Sequence, residues 1–277
     1  MTDQAEKAKA FCRLHEHGSC FVIPNPWDLG SARLLEHLGF KALASSSAGF
    51  AFSLGRSDLS ISKGSLLGHL TGVCQATSLP VSADLQNGFG NDPEDMAVTI
   101  LQAAKTGIVG GSIEDASGDD GNPVYPLALA AERIRHAAVA AKSLGFKFTL
   151  TARAENYLYG RADLEDTIRR LQAYQEAGAD VLFAPGVKTR EDIRQILRSI
   201  DRPLNVLAGM PNMGLRVADL QELGVTRISL GGTLARAAYG ALLRAAAEVQ
   251  NQGTFTYAAA AVSGQELNGI FAKGRIS

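Results

Sequence analysis

Long apolar runs are missing from this chain. No stretch approaches the ~18 consecutive apolar residues of a membrane span, and no signal peptide opens it, so neither a membrane protein nor an exported one is expected. Aromatic residues are few, at 6%, and neither sign of charge is in excess, the formal net charge being -1. Without a basic stripe, nothing points to nucleic acid or an acidic membrane surface as a partner. Cysteine is scarce too. Cys12, Cys20 and Cys74 are an odd set without metal-type spacing, and read as reduced, mostly buried thiols of a cytoplasmic protein.

Other absences are positional. None of the five histidines (His15, His17, His37, His69, His136) ends an apolar run, which argues against a His-ligated zinc site and a histidine base. Lys41 and Lys147 precede apolar runs instead of following them, which argues against a Schiff-base aldolase.

What the chain does have is a repeat of apolar run, polar end residue and helical segment. Pro80–Ala83 ends at Asp84, Gly110–Ile113 at Glu114, Phe148–Ala152 at Arg153, and Leu204–Ala208 at Gly209. Further runs are Cys20–Ile23, Lys41–Ala44, Val181–Ala184 and Arg227–Leu230, giving eight strands. Helices are expected near 3–17, from Asp28 to Leu38, and over 63–77, 93–105, 126–143, 163–177 and 233–250. Near-continuous apolar strands suit a parallel sheet covered on both faces. The expectation is an α/β fold, a (β/α)8 TIM-type barrel with an N-terminal helix. The 277 residues form one domain without a linker, close to the roughly 250 of a typical barrel. The tail from about 253 to 277 has weak helical character.

In such a barrel the strand ends converge on one face. Asp84 and Glu114 follow neighbouring strands, and close carboxylates need a proton or a cation between them; oxygen ligands of this kind favour Mg²⁺. Helix caps or loop ion pairs would use the same residues. The turn Asn87-Gly88-Phe89-Gly90 either admits a ligand close to the backbone or is a plain tight turn. Arg153 can hold a substrate carboxylate in two parallel hydrogen bonds, stabilise an enolate oxygen, or pair with Glu155 or Asp84. Ser45, Ser46 and Ser47 offer hydroxyls and backbone N–H groups for a carboxylate or phosphonate. Asn205 and Ser229 are weaker candidates. The loop 115–123, with Gly118, Asp119, Asp120 and Gly121, reads as a lid or as an ordinary surface loop. These residue types suit an α-oxo or 2-hydroxy carboxylate reacting through an enolate.

The segments Ala44–Ser47, Ser53–Asp58, Ser82–Gly90, Ser112–Asp115, Thr151–Glu155 and Gly224–Gly232, in this order, resemble the isocitrate lyase and phosphoenolpyruvate mutase superfamily. The resemblance implies Mg²⁺ (with Mn²⁺ as a substitute) near Asp58, Asp84 and Glu114, and Gln86 at the position of a further metal-site aspartate. It implies an enolate held by Ser45, Ser46 and Arg153, and a bond broken beside a carboxylate. It also implies a homo-oligomer, dimer or tetramer, formed by exchange of the last helix. Two departures narrow this. The loop 115–123 lacks the Lys-Arg/Lys-Cys-Gly-His segment of isocitrate and methylisocitrate lyases, and the lysine that mutases and phosphonopyruvate hydrolases carry after the Glu-Asp pair. A Mg²⁺-dependent carbon–carbon lyase or decarboxylase of a small α-oxo or 2-hydroxy (di)carboxylate is therefore expected, with Arg153, Asp58 and Glu114 catalytic. The alternatives are a P–C bond enzyme of the phosphonopyruvate type and a non-catalytic metabolite-binding homologue.

Overall fold

Eight short strands pair side by side, all parallel, in the order β1-β8-β7-β6-β5-β4-β3-β2. They are β1 Phe21–Ile23, β2 Leu43–Ala44, β3 Val81–Asp84, β4 Gly110–Glu114, β5 Thr149–Arg153, β6 Val181–Phe183, β7 Leu204–Leu207 and β8 Arg227–Ser229. The Ala44 N–H donates to the Pro24 carbonyl at 3.0 Å, drawing β2 toward β1 and nearly closing a (β/α)8 barrel. A computed structural model of the chain describes residues 3–273.

The helices are α1 Gln4–Arg13, α2 Leu29–His37, α3 Ser47–Ser53, α4 Lys63–Ala76, α5 Pro93–Ala104, α6 Leu127–Ser143, α7 Leu164–Ala177, α8 Arg190–Ser199, α9 Val217–Leu223, α10 Thr233–Gln252 and α11 Gly264–Lys273. Asp28, Ser62, Asp163 and Thr189 each cap a helix start by accepting a backbone N–H, and Gly178 ends α7 in the left-handed conformation. Helix α1 packs Ala8 and Phe11 against Ile23, Ala42 and Val109. A Cβ on Gly110 would come within 3.0 Å of Phe11, so this glycine lets α1 approach β4 closely.

The structure departs from the sequence reading in three places. Ser47 does not belong to a loop: Ser46 Oγ accepts the Gly49 N–H at 3.1 Å and starts α3. The tail folds into a 3₁₀ turn, Thr256–Ala260, and then α11, which packs on α2 through an Arg33–Phe271 contact. Residues 274–277 of that tail lie outside the described residues. The cysteines are free, but Cys12 is exposed, and Cys20 and Cys74 are half-buried. Among the described residues no helix is long and apolar enough to cross a membrane.

Candidate active site

Side chains two residues apart on a strand share a face, about 6.6 Å apart along a parallel strand. Strands β3, β4 and β5 read Ser82-Ala83-Asp84, Ser112-Ile113-Glu114 and Thr151-Ala152-Arg153. Each carries a charged residue at its C-terminal end and a hydroxyl one layer beneath. A typical barrel fills this interior with Val, Ile and Leu. Here the hydroxyls, Asn205, Ser229 and Arg227 occupy it, all buried.

The upper layer converges on Arg153. Its Nε donates to Glu155 Oε1 at 2.9 Å, and its Nη1 lies 3.1 Å from Asp84 Oδ1 and 3.2 Å from Glu114 Oε2. The guanidinium also lies 5.2 Å from the Phe183 ring. Burial, the largest single influence, lowers its pKa, but the charges of Glu155, Glu114 and Asp84 together outweigh it and hold the guanidinium charged. Nε and Nη1 are taken, so the two-pronged grip on a substrate carboxylate expected from sequence is not free. Nη2 has no partner among the described hydrogen bonds. Burial pushes Glu114 well above the usual carboxylate range against the pull of Arg153, and pushes Glu155 to about 7.

Asp84 is saturated. Its Oδ2 accepts the Ser47 N–H at 3.2 Å and the Ser47 hydroxyl at 2.9 Å, and its Oδ1 accepts the Gln86 N–H at 3.2 Å besides Arg153. The Ser45 hydroxyl accepts the Asp84 N–H at 2.9 Å. Asp58 enters from the loop after α3, with its Oδ1 on the Leu59 N–H at 2.8 Å. Burial first, then the charge of Asp84, raises its pKa. Ser45, Ser46, Ser47, Asp58, Asp84, Arg153 and Asn205 line one cavity of about 220 Å³. Glu114 and Gln86 stand behind its wall. Gln86 adopts φ 51°, and its Nε2 is buried without a hydrogen-bond partner.

Several supporting residues escaped the sequence reading. Arg133 of α6 donates to the Gly90 and Asn91 carbonyls at 2.8 and 2.6 Å, and also to that of Asn87, stacked 4.3 Å from the Tyr125 ring. The glycine turn is thus a clamped structural loop after Asp84. Asp115 accepts the Glu155 N–H at 2.7 Å, Arg170 at 3.0 Å and Tyr174 at 2.5 Å, fixing the segment that presents Glu155 to Arg153. Loop 115–123 is pinned to itself by the Ser117 N–H on the Pro123 carbonyl at 2.9 Å, and contributes nothing to the cavity lining.

Asn205 spends both ends of its amide inside the barrel. Its Oδ1 accepts Arg227 Nε at 3.0 Å and its Nδ2 donates to Ser229 Oγ at 2.9 Å, an arrangement that also fixes which amide atom is which. Arg227 Nη2 donates to Thr151 Oγ1 at 3.0 Å. Arg227 lines the cavity too, and was not singled out from sequence because it begins its strand.

The donor set fits a hard cation. Three carboxylates share one guanidinium, all ligand atoms are oxygen, and Gln86 offers a buried amide beside them. Among the described residues no cluster of three or more His, Cys, Asp or Glu is drawn together as a preformed cage. Mg²⁺ needs none, since it keeps waters and binds through one or two carboxylates.

A family model, phosphoenolpyruvate phosphomutase, matches residues 11–250. The chain belongs to this family, within the isocitrate lyase and phosphoenolpyruvate mutase superfamily. A family structure from Burkholderia cenocepacia J2315, provisionally described as a lyase or mutase, is 52% identical, covers 97% of this chain and 96% of its own, and has a TM-score of 0.95. An oxaloacetate decarboxylase of Pseudomonas putida GB-1 is 32% identical over 85% of this chain and 81% of its own. A phosphonopyruvate hydrolase complexed with oxalate and Mg²⁺ is 25% identical, covers 98% and 96% of the two chains, and has a TM-score of 0.85. The family match agrees with the resemblance read from the motifs.

Proposed function

We propose that the chain is a Mg²⁺-dependent lyase that cleaves or decarboxylates a small α-oxo or 2-hydroxy (di)carboxylate through an enolate. One observation carries this reading: Asp84, Glu114 and Glu155 crowd a single guanidinium, and Asp84 and Arg153 of that group line a small cavity. Such a group has acid to spare for a cation and one arginine for developing negative charge. The relatives support it, because oxalate with Mg²⁺ occupies one and decarboxylation of oxaloacetate is the reaction of another.

Asp84 and Glu114 would hold the cation, Asp84 exchanging one of its four hydrogen bonds for it, with Gln86 toward its water shell. When bound, it supplies charge stabilisation to the oxygens of the substrate's carboxylate and carbonyl. Glu114, buried and raised, becomes ionised most readily with a cation beside it. Arg153 is fixed on two sides by Glu155 and Asp84, so its remaining Nη2 can donate to the carbonyl oxygen as that oxygen gains charge. This interaction strengthens toward the transition state and so lowers the barrier. Ser45 and Ser46, whose hydroxyl oxygens accept backbone N–H groups and keep their hydrogens, can donate to the carboxylate, while the Ser47 hydroxyl is held by Asp84. Asp58 has its Oδ1 on Leu59 and a raised pKa, so its Oδ2 can hold a proton at the mouth.

The decisive experiment is turnover of α-oxo and 2-hydroxy acids by Asp84→Ala and its parent. Turnover should depend on Mg²⁺ in the parent and vanish in a folded Asp84→Ala. Retained activity in the variant would remove Asp84 from the site, and phosphate release from phosphonopyruvate would assign the chain to P–C chemistry instead.

Self-association belongs to the same proposal. Helix α10 buries only Ala235 and leaves Leu242, Leu243 and Val249 exposed, followed by exposed Phe255, Tyr257 and Val262. A second copy exchanging this helix would cover that apolar face.

A further inference from the structure

Arg227 is buried to 5% exposure and lines the cavity, yet no carboxylate among the described residues lies within salt-bridge distance of it. Its partners are neutral: Asn205 on Nε and Thr151 on Nη2, while Nη1 is buried with no hydrogen-bond partner among the described residues. A buried, unpaired guanidinium costs stability unless something anionic comes to it. Burial, then the like charge of Arg153, lowers its pKa to about 9, which still leaves it cationic near neutrality.

Its position is set by the sheet. Glu114, Arg153, Phe183, Asn205 and Arg227 are successive register partners across β4 to β8. Strands in a barrel are staggered, so a row followed around the sheet descends relative to the barrel axis. The contact with Thr151 shows how far: Arg227 reaches the hydroxyl two residues before Arg153 on the same face of β5. One side-chain layer, about 6.6 Å of strand, therefore separates the two levels. The upper level has three carboxylates for one guanidinium, and the lower has a guanidinium and no carboxylate.

We propose that Arg227 anchors a second anionic group of the substrate, so that the cavity selects a small dicarboxylate with its reacting end at Arg153 and its distal carboxylate one layer deeper. This rests on the lyase reading above and narrows its substrate class. A four-carbon diacid can reach both levels, whereas oxalate, with its two carboxylates adjacent, engages only the upper one. The distal carboxylate would meet the guanidinium where Arg227 lines the cavity, and a turn of the side chain would bring Nη1, buried and without an acceptor among the described residues, onto it.

The test uses three probes with Mg²⁺ present: malate, 2-hydroxybutyrate (the same four-carbon chain with a methyl in place of the distal carboxylate) and oxalate, each measured by calorimetry. The parent should bind malate at least tenfold more tightly than 2-hydroxybutyrate. Arg227→Met should erase that preference and leave oxalate affinity within about twofold. Asn205→Asp, which places a carboxylate against Arg227 inside the barrel, should erase it too, and serves if Arg227→Met does not fold. Unliganded Arg227→Met should melt no lower than the parent, because it loses an unpaired buried charge. A parent without diacid preference, a preference that survives these variants, or a lower Tm with equal loss of all three probes would overturn the assignment. Failure of oxalate to bind the parent would instead count against the upper-level reading, while the comparison of malate with 2-hydroxybutyrate would still decide the role of Arg227.

Discussion

Arg153 and Arg227 are two buried arginines in one barrel, on one register row, in opposite electrostatic situations. Arg153 is outnumbered by acids, with Asp84, Glu114 and Glu155 all within 3.2 Å. Arg227 has only an amide and a hydroxyl, and one nitrogen with neither. The first is locked and charged in the resting protein, and its surroundings call for a cation. The second has no acid beside it among the described residues, and its surroundings call for an anion. A substrate that is a dicarboxylate arriving with a divalent cation satisfies both at once. Burial alone therefore says little about an arginine's task; the charge count around it says more.

The sharpest way to break the comparison is at the crowded arginine. Arg153→Lys keeps the charge but loses the planar fork that lets Nε and Nη1 hold acids while Nη2 stays free. The expected result is a kcat lower by roughly 10²–10³, the scale of one lost oxyanion donor. Oxalate, which resembles the enolate, should lose more affinity than substrate. A rise in KM alone, with kcat intact, would make Arg153 a uniform anchor like the one proposed for Arg227, and the contrast would collapse.

The acid excess can be read from stability as well. Glu155 is buried and its pKa is raised to about 7, against an unfolded value near 4.5. An acid with a raised folded pKa contributes stability that is complete below the unfolded value and lost as pH rises through the folded one. In metal-free protein, Tm should thus fall between about pH 4.5 and 7, by the equivalent of roughly 3 kcal/mol, and Glu155→Gln should flatten that slope. His69, pushed down to about 4 by burial, gives the opposite slope between about pH 4 and 6.5, which overlaps this window, so the difference between parent and Glu155→Gln, not the parent curve, isolates the acid. Equal slopes for parent and Glu155→Gln in thermal melts would mean that Glu155 stays ionised beside Arg153.

Much of the upper layer was legible in the sequence because its residues end their strands. Asp84, Glu114 and Arg153 each close an apolar run, and strand order alone makes them neighbours on the catalytic face. The lower layer was harder to read. Arg227 begins β8, and only the stagger of the closed barrel brings it under Arg153. Asn205 was found as a polar residue inside a strand, but its service to Arg227 depends on that same stagger. Helix α3 was missed because its seven residues follow β2 directly, with Ser46 as both strand-end residue and cap. Helices α8 and α9 were not delimited; α9 is seven residues long and buries only Leu220, whereas α8 does set Ile193 and Ile196 on one face of an otherwise polar helix. The glycine turn could be read either way, and the clamp from Arg133, forty-odd residues on, decides for the structural role.

The smallest expected effect lies at Gln86, where the upper level can be made more acidic still. Its backbone N–H already holds Asp84 Oδ1 at 3.2 Å, while its side-chain Nε2 is buried without a partner. An amide can orient a water of a hydrated cation but adds no charge to hold it. Gln86→Asp would bring a fourth carboxylate to a region with one guanidinium. Without metal, that extra buried charge should lower Tm. With metal, it should tighten Mg²⁺ binding about tenfold, the lower end of what residues around a metal's ligands contribute. The two effects have opposite signs, so calorimetry and melting together distinguish a residue facing the cation's water shell from one merely packed behind Asp84. A lower Tm with unchanged Mg²⁺ affinity would assign Gln86 to packing. It would also leave Asp84 and Glu114 as the protein's whole contribution to the cation, and their contrast with the acid-free surroundings of Arg227 would be carried by three carboxylates alone.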